Sequence, residues 1–126
     1  MKDGSKCSLE VIYGIFATDQ YVWLQLLMIH TFGLKPKQVV AFMPQKCLHS
    51  SHKYFIVQNE NSGANSLLHL DSDYKRSTYE PALDFAKKNG GYIRDRKYTP
   101  EKAVRHLRLF VLERAFYSMQ YDTQSL

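Results

Sequence analysis

Residues 92–98, between two predicted helices, carry arginine and tyrosine at alternating positions. In an extended chain alternate side chains share a face, which here would hold two guanidinium groups and two phenol rings. These residues are Tyr92, Arg94, Arg96 and Tyr98. Arginine binds phosphate through paired hydrogen bonds, and aromatic rings stack on bases. The pattern predicts a nucleic-acid-binding segment, with a solvated connector as the alternative.

Net positive charge is concentrated around this segment. The forty residues from Lys75 to Arg114 carry eleven Lys or Arg against five Asp or Glu, whereas residues 1–74 carry six of each. A basic surface attracts polyanions and releases their counterions. The predicted phosphate ligands are Arg94, Arg96, Lys97, Lys87, Lys88 and Arg105, with Lys102 and Arg108 extending the charge and with Tyr92 and Tyr98 as stacking residues. We therefore expect a small basic protein that binds RNA or DNA without chemistry and without a cofactor.

Two carboxylates offer an enzymatic alternative. Asp71 and Asp73 follow an apolar run, and Lys75 comes two residues later. Acids at a strand end can share a divalent cation, and the Asp-x-Lys pair resembles the metal-and-lysine half of restriction-type nuclease sites. The Asp-x-Asp pair is similar to that of nucleotidyltransferases. These resemblances imply a metal-dependent nuclease or nucleotidyl-transfer enzyme, with Glu10 or Glu60 as a third acid; an ordinary turn explains the same residues.

Three zinc-capable side chains lie within six residues. They are Cys47, His49 and His52, and Cys7 is a conceivable fourth ligand. Zinc sites use cysteine and histidine at short spacing, but their recurring signatures pair two close ligands with two more at a defined distance. A polar loop is the simpler interpretation of this segment.

Strand and helix signals alternate along the chain. Apolar, β-branched runs predict strands at residues 9–16, 38–43, 54–57 and 66–70, the last two forming an antiparallel hairpin across a turn-rich loop. Helices are predicted at residues 21–32, from Thr78 or Glu80 to a stop at residues 89–91, and from Thr99 to about Tyr117. We expect an α+β fold, with a small, mostly antiparallel sheet packed against a buried central helix and two further helices. A single domain over residues 1–120 would precede a flexible tail at 121–126.

The last predicted helix has two apolar arcs. One arc comprises Ala103, Leu107, Phe110 and Val111, and the other comprises Leu109, Leu112, Phe116 and Met119. One arc can face the core, so the other requires a second cover. This predicts, as a third hypothesis, a homodimer or a module that binds an acidic protein partner.

Composition restricts the class of protein. Its 44% apolar and 13% aromatic residues are enough for a folded core. Two cysteines are too few to stabilise a small secreted fold, and no charged-then-apolar signal opens the chain. Polar residues interrupt the most apolar stretch, so no membrane span is predicted. We expect an intracellular protein, in the cytoplasm or the nucleus.

Overall fold

A computed structural model describes the backbone of residues 19–59 and 64–125, and the side chains of these ranges as far as residue 113. Its elements, in chain order, are α1 (Gln20–Phe32), α2 (Pro36–Ala41), α3 (Pro44–Cys47), β1 (Tyr54–Gln58), β2 (Asn65–His69), α4 (Asp73–Lys88) and α5 (Pro100–Ser125). The predicted α+β class is confirmed. The strand predicted at residues 9–16 lies outside the described residues.

Helix α1 is the predicted central helix, and capping residues define both of its ends. The Asp19 side chain accepts a hydrogen bond from the Val22 N–H at 3.1 Å. Gly33 takes the left-handed conformation, with φ of 70°, and donates to the Ile29 carbonyl oxygen. Every α1 side chain after Gln20 is buried or half-buried. The helix contacts α2 and α4, so it lies within the protein rather than along one side.

The strand predicted at residues 38–43 was wrong, because residues 36–41 form helix α2. Pro36 occupies the first turn, where its fixed φ suits a helix. The Gln38 side chain accepts from the Lys35 N–H at 2.8 Å, which holds that turn. Val39 and Val40 are β-branched and favour a strand locally, but both are buried from the helix. Capping and tertiary burial therefore overrode the local preference.

The predicted hairpin is confirmed. Strands β1 and β2 pair antiparallel, with Tyr54 opposite His69 and Phe55 opposite Leu68. The Asn59 N–H donates to the Ala64 carbonyl oxygen at 2.7 Å where the connecting loop begins and ends. Phe55 is fully buried, so β1 turns one face to the core. A two-stranded sheet is marginal alone and depends on this packing.

Helix α4 begins at Asp73, earlier than the predicted start at Thr78 or Glu80. Ser72 is its N-cap, and its side chain accepts from the Lys75 N–H at 3.1 Å. The later start was predicted because Thr78 and Glu80 can begin a helix, and it overlooked the cap that Ser72 provides. Here the helix continues through Pro81, with Tyr79 buried just before it. Packing of the buried side chains compensates for the hydrogen bond that Pro81 cannot donate. The earlier start places the charged residues Asp73, Lys75 and Arg76 in the first turn of α4.

Aromatic rings join these elements in the core. Phe55 of β1 lies 4.9 Å from Phe32 of α1 and 4.7 Å from Tyr79 of α4, measured between ring centres. Phe42 lies 5.9 Å from Tyr79. The Tyr79 hydroxyl donates to the Pro44 carbonyl oxygen at 2.7 Å. Burial raises the pKa of Tyr79 far above its usual range, because its phenolate would have to lose water.

Helix α5 starts as predicted, with the Thr99 side chain accepting from the Lys102 N–H at 3.2 Å. Its backbone is helical to Ser125, beyond the expected end near Tyr117. Of the arc expected to face the core, Ala103 and Leu107 are buried and Phe110 is half-buried, whereas Val111 is 40% exposed. The start of α5 thus packs against the core, and the proposed tail at residues 121–126 stays a prediction.

Candidate functional site

The connector between α4 and α5, residues 89–99, is a series of turns and bends. The two glycines that follow Asn89 have φ values of 71° and 99°, which reverse the chain directly after α4. The Asn89 Nδ2 group donates to the Tyr92 and Arg94 carbonyl oxygens at 3.0 and 2.8 Å. The prediction that alternate residues share one extended face was therefore wrong, because hydrogen bonds fold the connector back onto the end of α4.

Arg94 uses its guanidinium inside the protein. Its Nη1 donates to the Val40 carbonyl oxygen at 2.9 Å, and its Nε donates to the Tyr98 carbonyl oxygen at 3.3 Å. The guanidinium carbon also lies 4.1 Å from the centre of the Tyr92 ring, a cation–π contact. Arg94 therefore ties the connector to α2, and these N–H groups are not free to donate to phosphate.

The two tyrosines predicted to stack on bases both contact residues of the protein. Tyr92 has the Arg94 guanidinium over its ring. Tyr98 packs against the core, and its ring centre lies 5.4 Å from that of His106 on α5. Stacking on a base would have to use whatever ring surface these contacts leave open.

Four of the predicted phosphate ligands lie on the last turn of α4 or in the connector that follows it, and we call these four residues the basic edge. These residues are Lys87, Lys88, Arg96 and Lys97, and all four are exposed. Lys87 and Lys88 occupy the last turn of α4. Arg96 folds back against Gly90, where an added Cβ would lie 2.9 Å from the Arg96 Cδ. The three ion pairs among the described residues involve other side chains, so no member of the basic edge has a carboxylate partner within 4.0 Å.

Helix α5 carries the remaining predicted cations on its exposed side. Arg105, Lys102 and Arg108 are exposed and form none of the ion pairs seen in the described ranges. Further along the helix, Leu109 and Leu112 are 56% and 65% exposed. These leucines belong to the arc for which a second copy or a protein partner was predicted, with the acidic surface of such a partner meeting the basic residues, and that partner stays a prediction.

A groove of about 560 Å³ lies between α1 and α4, next to the basic edge. Three half-buried aromatic side chains line it, those of Tyr21, Trp23 and Phe85. The Tyr21 and Phe85 rings meet edge to face, with centres 5.3 Å apart. Lys88 of the basic edge and Asp84 one turn before it also line the groove. The groove therefore places Lys88, which forms none of the ion pairs seen in the described residues, next to aromatic side chains. Cations beside aromatic rings were predicted at residues 92–98, but here other residues form the arrangement.

Sequence reasoning missed the three groove aromatics. Tyr21 and Trp23 lie on α1, whose uncharged sequence predicted burial on all sides. Phe85 was predicted only to lie on the helix that begins at Thr78 or Glu80. One signal could have indicated exposure: Tyr21 is in the first turn after the Asp19 cap, and the ends of a buried helix approach the surface. The sequence spacing of apolar residues does not show that α4 packs beside α1 to form a groove.

The acidic pair of the enzymatic alternative is engaged by neighbouring cations. Asp71 Oδ1 lies 3.1 Å from Lys75 Nζ, and Asp73 Oδ1 lies 2.6 Å from Arg76 Nη2. The hydrogen bond and positive charge of Lys75 lower the pKa of Asp71. Arg76 also donates to the Leu70 carbonyl oxygen at 3.0 Å. Each acid has a different cation, and Lys75 lies on a helix instead of a strand.

The weak zinc alternative finds no geometric support in the described part of the chain. There, no three His, Cys, Asp or Glu side chains lie close enough to hold a metal ion. Burial raises the pKa of the Cys47 thiol. His49 Nδ1 accepts from the Ser51 N–H at 3.1 Å, and its ring stacks on Tyr54. Cys7, Glu10 and Glu60 lie outside the described residues, as does the side chain of Arg114.

No protein-family model, curated protein sequence or solved structure matches this chain. In the described ranges, no helix combines the length and the apolar character that crossing a bilayer requires. The function must therefore be argued from the chemistry of the basic edge and the groove.

Proposed function

We propose that this protein binds single-stranded nucleic acid, RNA or DNA, along the basic edge and the α1–α4 groove, without chemistry. The phosphates would be bound by Lys87, Lys88, Arg96 and Lys97, and one unpaired base would enter the groove. The observation that carries the proposal is that Lys88 belongs to both features. A strand passing along the basic edge would therefore bring its bases to the aromatic side chains.

Phosphate binding at the basic edge is supported by the state of its cations. A cation that already has a carboxylate partner gains little from a phosphate, because it must exchange one anion for another. The four cations of the basic edge are exposed, and no carboxylate of the described part of the chain lies within 4.0 Å of them. Each phosphate they neutralise releases counterions, so affinity should fall as salt rises. Arg105, with Lys102 and Arg108, would extend the contact along α5.

Base binding in the groove is supported by its size and its lining. Its volume of about 560 Å³ lies within the range of about 300–1,000 Å³ typical of small-molecule sites. Stacking of a base on an aromatic ring contributes about 1–3 kcal/mol. The Asp84 carboxylate can accept a hydrogen bond from an amino group on a base edge. Paired bases are stacked inside a duplex and cannot enter, which is why the proposal specifies a single strand.

Trp23 allows a direct test, because it is the chain's single tryptophan and it lines the groove. A base that stacks near Trp23 should quench its fluorescence. We expect a thymidine oligonucleotide to give saturable quenching, with an affinity that falls steeply with sodium chloride concentration. Four phosphate contacts predict a slope of log affinity against log salt of about −3.

Inorganic polyphosphate and a DNA duplex are the matched controls. Polyphosphate has the charge without the bases, so it should compete with the oligonucleotide at low salt but leave Trp23 fluorescence unchanged. The duplex should bind more weakly and quench less. Equal quenching by duplex and single strand would reject the groove as a base site. Failure of any polyanion to bind at low salt would reject the proposed function.

A further inference from the structure

A second, smaller cavity lies on the other side of Tyr21 from the groove. It is enclosed by the start of α1, the connector and α5, and its volume is about 80 Å³. We call it the α1–α5 cavity. The polar and aromatic residues lining it are Asp19, Tyr21, Gln25, Asp95, Tyr98 and His106. Whereas the basic edge carries positive charge, this cavity is lined by two carboxylates.

Gln25 is the feature of this cavity that most needs an explanation. It is only 3% exposed. Its Nε2 donates to the Ile93 carbonyl oxygen at 3.1 Å, but its Oε1 has no hydrogen-bond partner among the described residues. A buried acceptor without a donor is unfavourable, and native proteins usually supply the donor. An N–H or O–H group that enters the cavity beside Gln25 would supply this donor.

The charges of the lining indicate that this donor is a cation. Asp19 Oδ2 lies 2.8 Å from His106 Nε2, so this carboxylate has a potential counter-charge. Asp95 has only the Lys97 backbone N–H, which its Oδ1 accepts at 3.0 Å, and no Lys, Arg or His side chain forms an ion pair with it within the described ranges. With His106 protonated or neutral, the lining is net negative. The tyrosine rings add faces that attract cations.

We infer that the α1–α5 cavity binds a primary ammonium group. An –NH₃⁺ group has three donors and no acceptor, which suits a lining that offers Gln25 Oε1 and two carboxylates. The volume of about 80 Å³ would hold about two or three water molecules, so it admits an ammonium with a short length of carbon chain. Among the described residues no three metal-ligating side chains converge, so a metal ion is the poorer fit.

This ligand differs from the proposed polyanion in charge and in place. Nucleic acid carries no primary ammonium group, so cavity and basic edge would bind different molecules. The ammonium could belong to a free polyamine or to a lysine side chain of another protein. Both sources present the same group to Gln25, Asp95 and Asp19, and only the attached chain differs.

Titration of the full-length protein with ethylammonium chloride, followed by NMR, tests the inference. We expect saturable shifts of the Gln25 side-chain amide and of the His106 and Ala103 backbone amides. Tetramethylammonium has the same charge but no N–H donor, and it should shift them little. Putrescine and Nα-acetyl-lysine amide then distinguish the sources. Tighter binding of putrescine identifies a free polyamine, and tighter binding of the lysine derivative identifies a protein side chain.

Asp95→Asn provides the variant, because it removes the charge but retains the Oδ1 that accepts from the Lys97 N–H. It should weaken ethylammonium binding about tenfold. Asp84→Asn makes the same change in the neighbouring groove and should leave this binding unchanged. Equal weakening by both variants, an equal response to tetramethylammonium, or no saturable shift in the wild type would each overturn the inference.

Discussion

The two ends of helix α4 have similar residue types but opposite electrostatic arrangements. At the N-terminal end, Lys75 and Arg76 contact Asp71 and Asp73 at 3.1 and 2.6 Å. At the C-terminal end, Lys87 and Lys88 occupy the last turn, Arg96 of the connector lies against Gly90, and none of the described carboxylates lies within 4.0 Å of these cations. The number of cations in a segment therefore does not measure its capacity to bind phosphate. The partners that the fold supplies to each cation decide it.

The largest expected effect comes from removing the cations at the C-terminal end. Replacing Lys87, Lys88 and Arg96 together by alanine should weaken single-strand binding about 100-fold near physiological salt, at about 1 kcal/mol for each contact. The slope of log affinity against log salt should become shallower by about 2. Fluorescence anisotropy of a labelled oligonucleotide over a salt series measures both.

The matched control for this variant is at the other end of α4. Lys75→Ala combined with Arg76→Ala removes two cations that are already paired, so affinity should change by no more than about threefold. If both sets weakened binding in proportion to the charge removed, net charge alone would explain the affinity. The distinction between the two ends would then have no functional meaning.

Alanine substitutions at Arg94 and Arg96 should have different effects on the stability of the fold. Arg94→Ala should lower the free energy of unfolding by about 2–3 kcal/mol, because the Val40 and Tyr98 carbonyl oxygens lose a charged donor. Arg96→Ala should change it by less than about 0.5 kcal/mol, since Arg96 is exposed and forms no ion pair with the described carboxylates. Urea unfolding followed by circular dichroism compares the two, and equal losses would contradict the structural role of Arg94.

Tyr79 lies between the two ends of α4 and attaches the helix to the segment that precedes β1. Tyr79→Phe should lower the free energy of unfolding by about 1 kcal/mol at neutral pH, because the Pro44 carbonyl oxygen loses its donor. The pKa of Tyr79 is raised in the folded protein, so its contribution is complete below the unfolded value of about 10 and is lost as pH rises above it. The difference between wild type and variant should therefore shrink at alkaline pH in urea unfolding. Parallel curves would contradict this.

The smallest expected effect comes from the paired N-terminal end. Lys75 lowers the pKa of Asp71, so this carboxylate stabilises the fold above its unfolded pKa of about 3.9, and the stabilisation is lost as pH falls through the folded value. Asp71→Asn should therefore differ slightly from wild type at neutral pH and match it in strong acid. Thermal unfolding at the two pH values measures this. Turnover of a nucleic acid that requires Mg²⁺ or Mn²⁺ and that Asp73→Asn abolishes would instead favour the enzymatic alternative at Asp71, Asp73 and Lys75.

Local signals predicted much of the framework. The Asp19 and Gly33 caps of α1, the start of α5 after Thr99 and the β-hairpin follow from side chains that bond to their own neighbourhood in the chain. The errors at α2 and at the start of α4 have a different origin. Val39 and Val40 are compatible with a strand or a helix, and α4 continues through Pro81 with Tyr79 buried just before it.

The sequence by itself determined the excess of positive charge from Lys75 to Arg114, the aromatic content and the principal caps, because these depend on residue type and short spacing. Only the tertiary structure decided which cations remain free for a partner. Arg94 and Arg96 are two residues apart, yet one donates to carbonyl oxygens and the other lies exposed beside Gly90. That division depends on groups as far away in the chain as Val40, and neither composition nor local spacing specifies which distant carbonyl oxygen a side chain will meet.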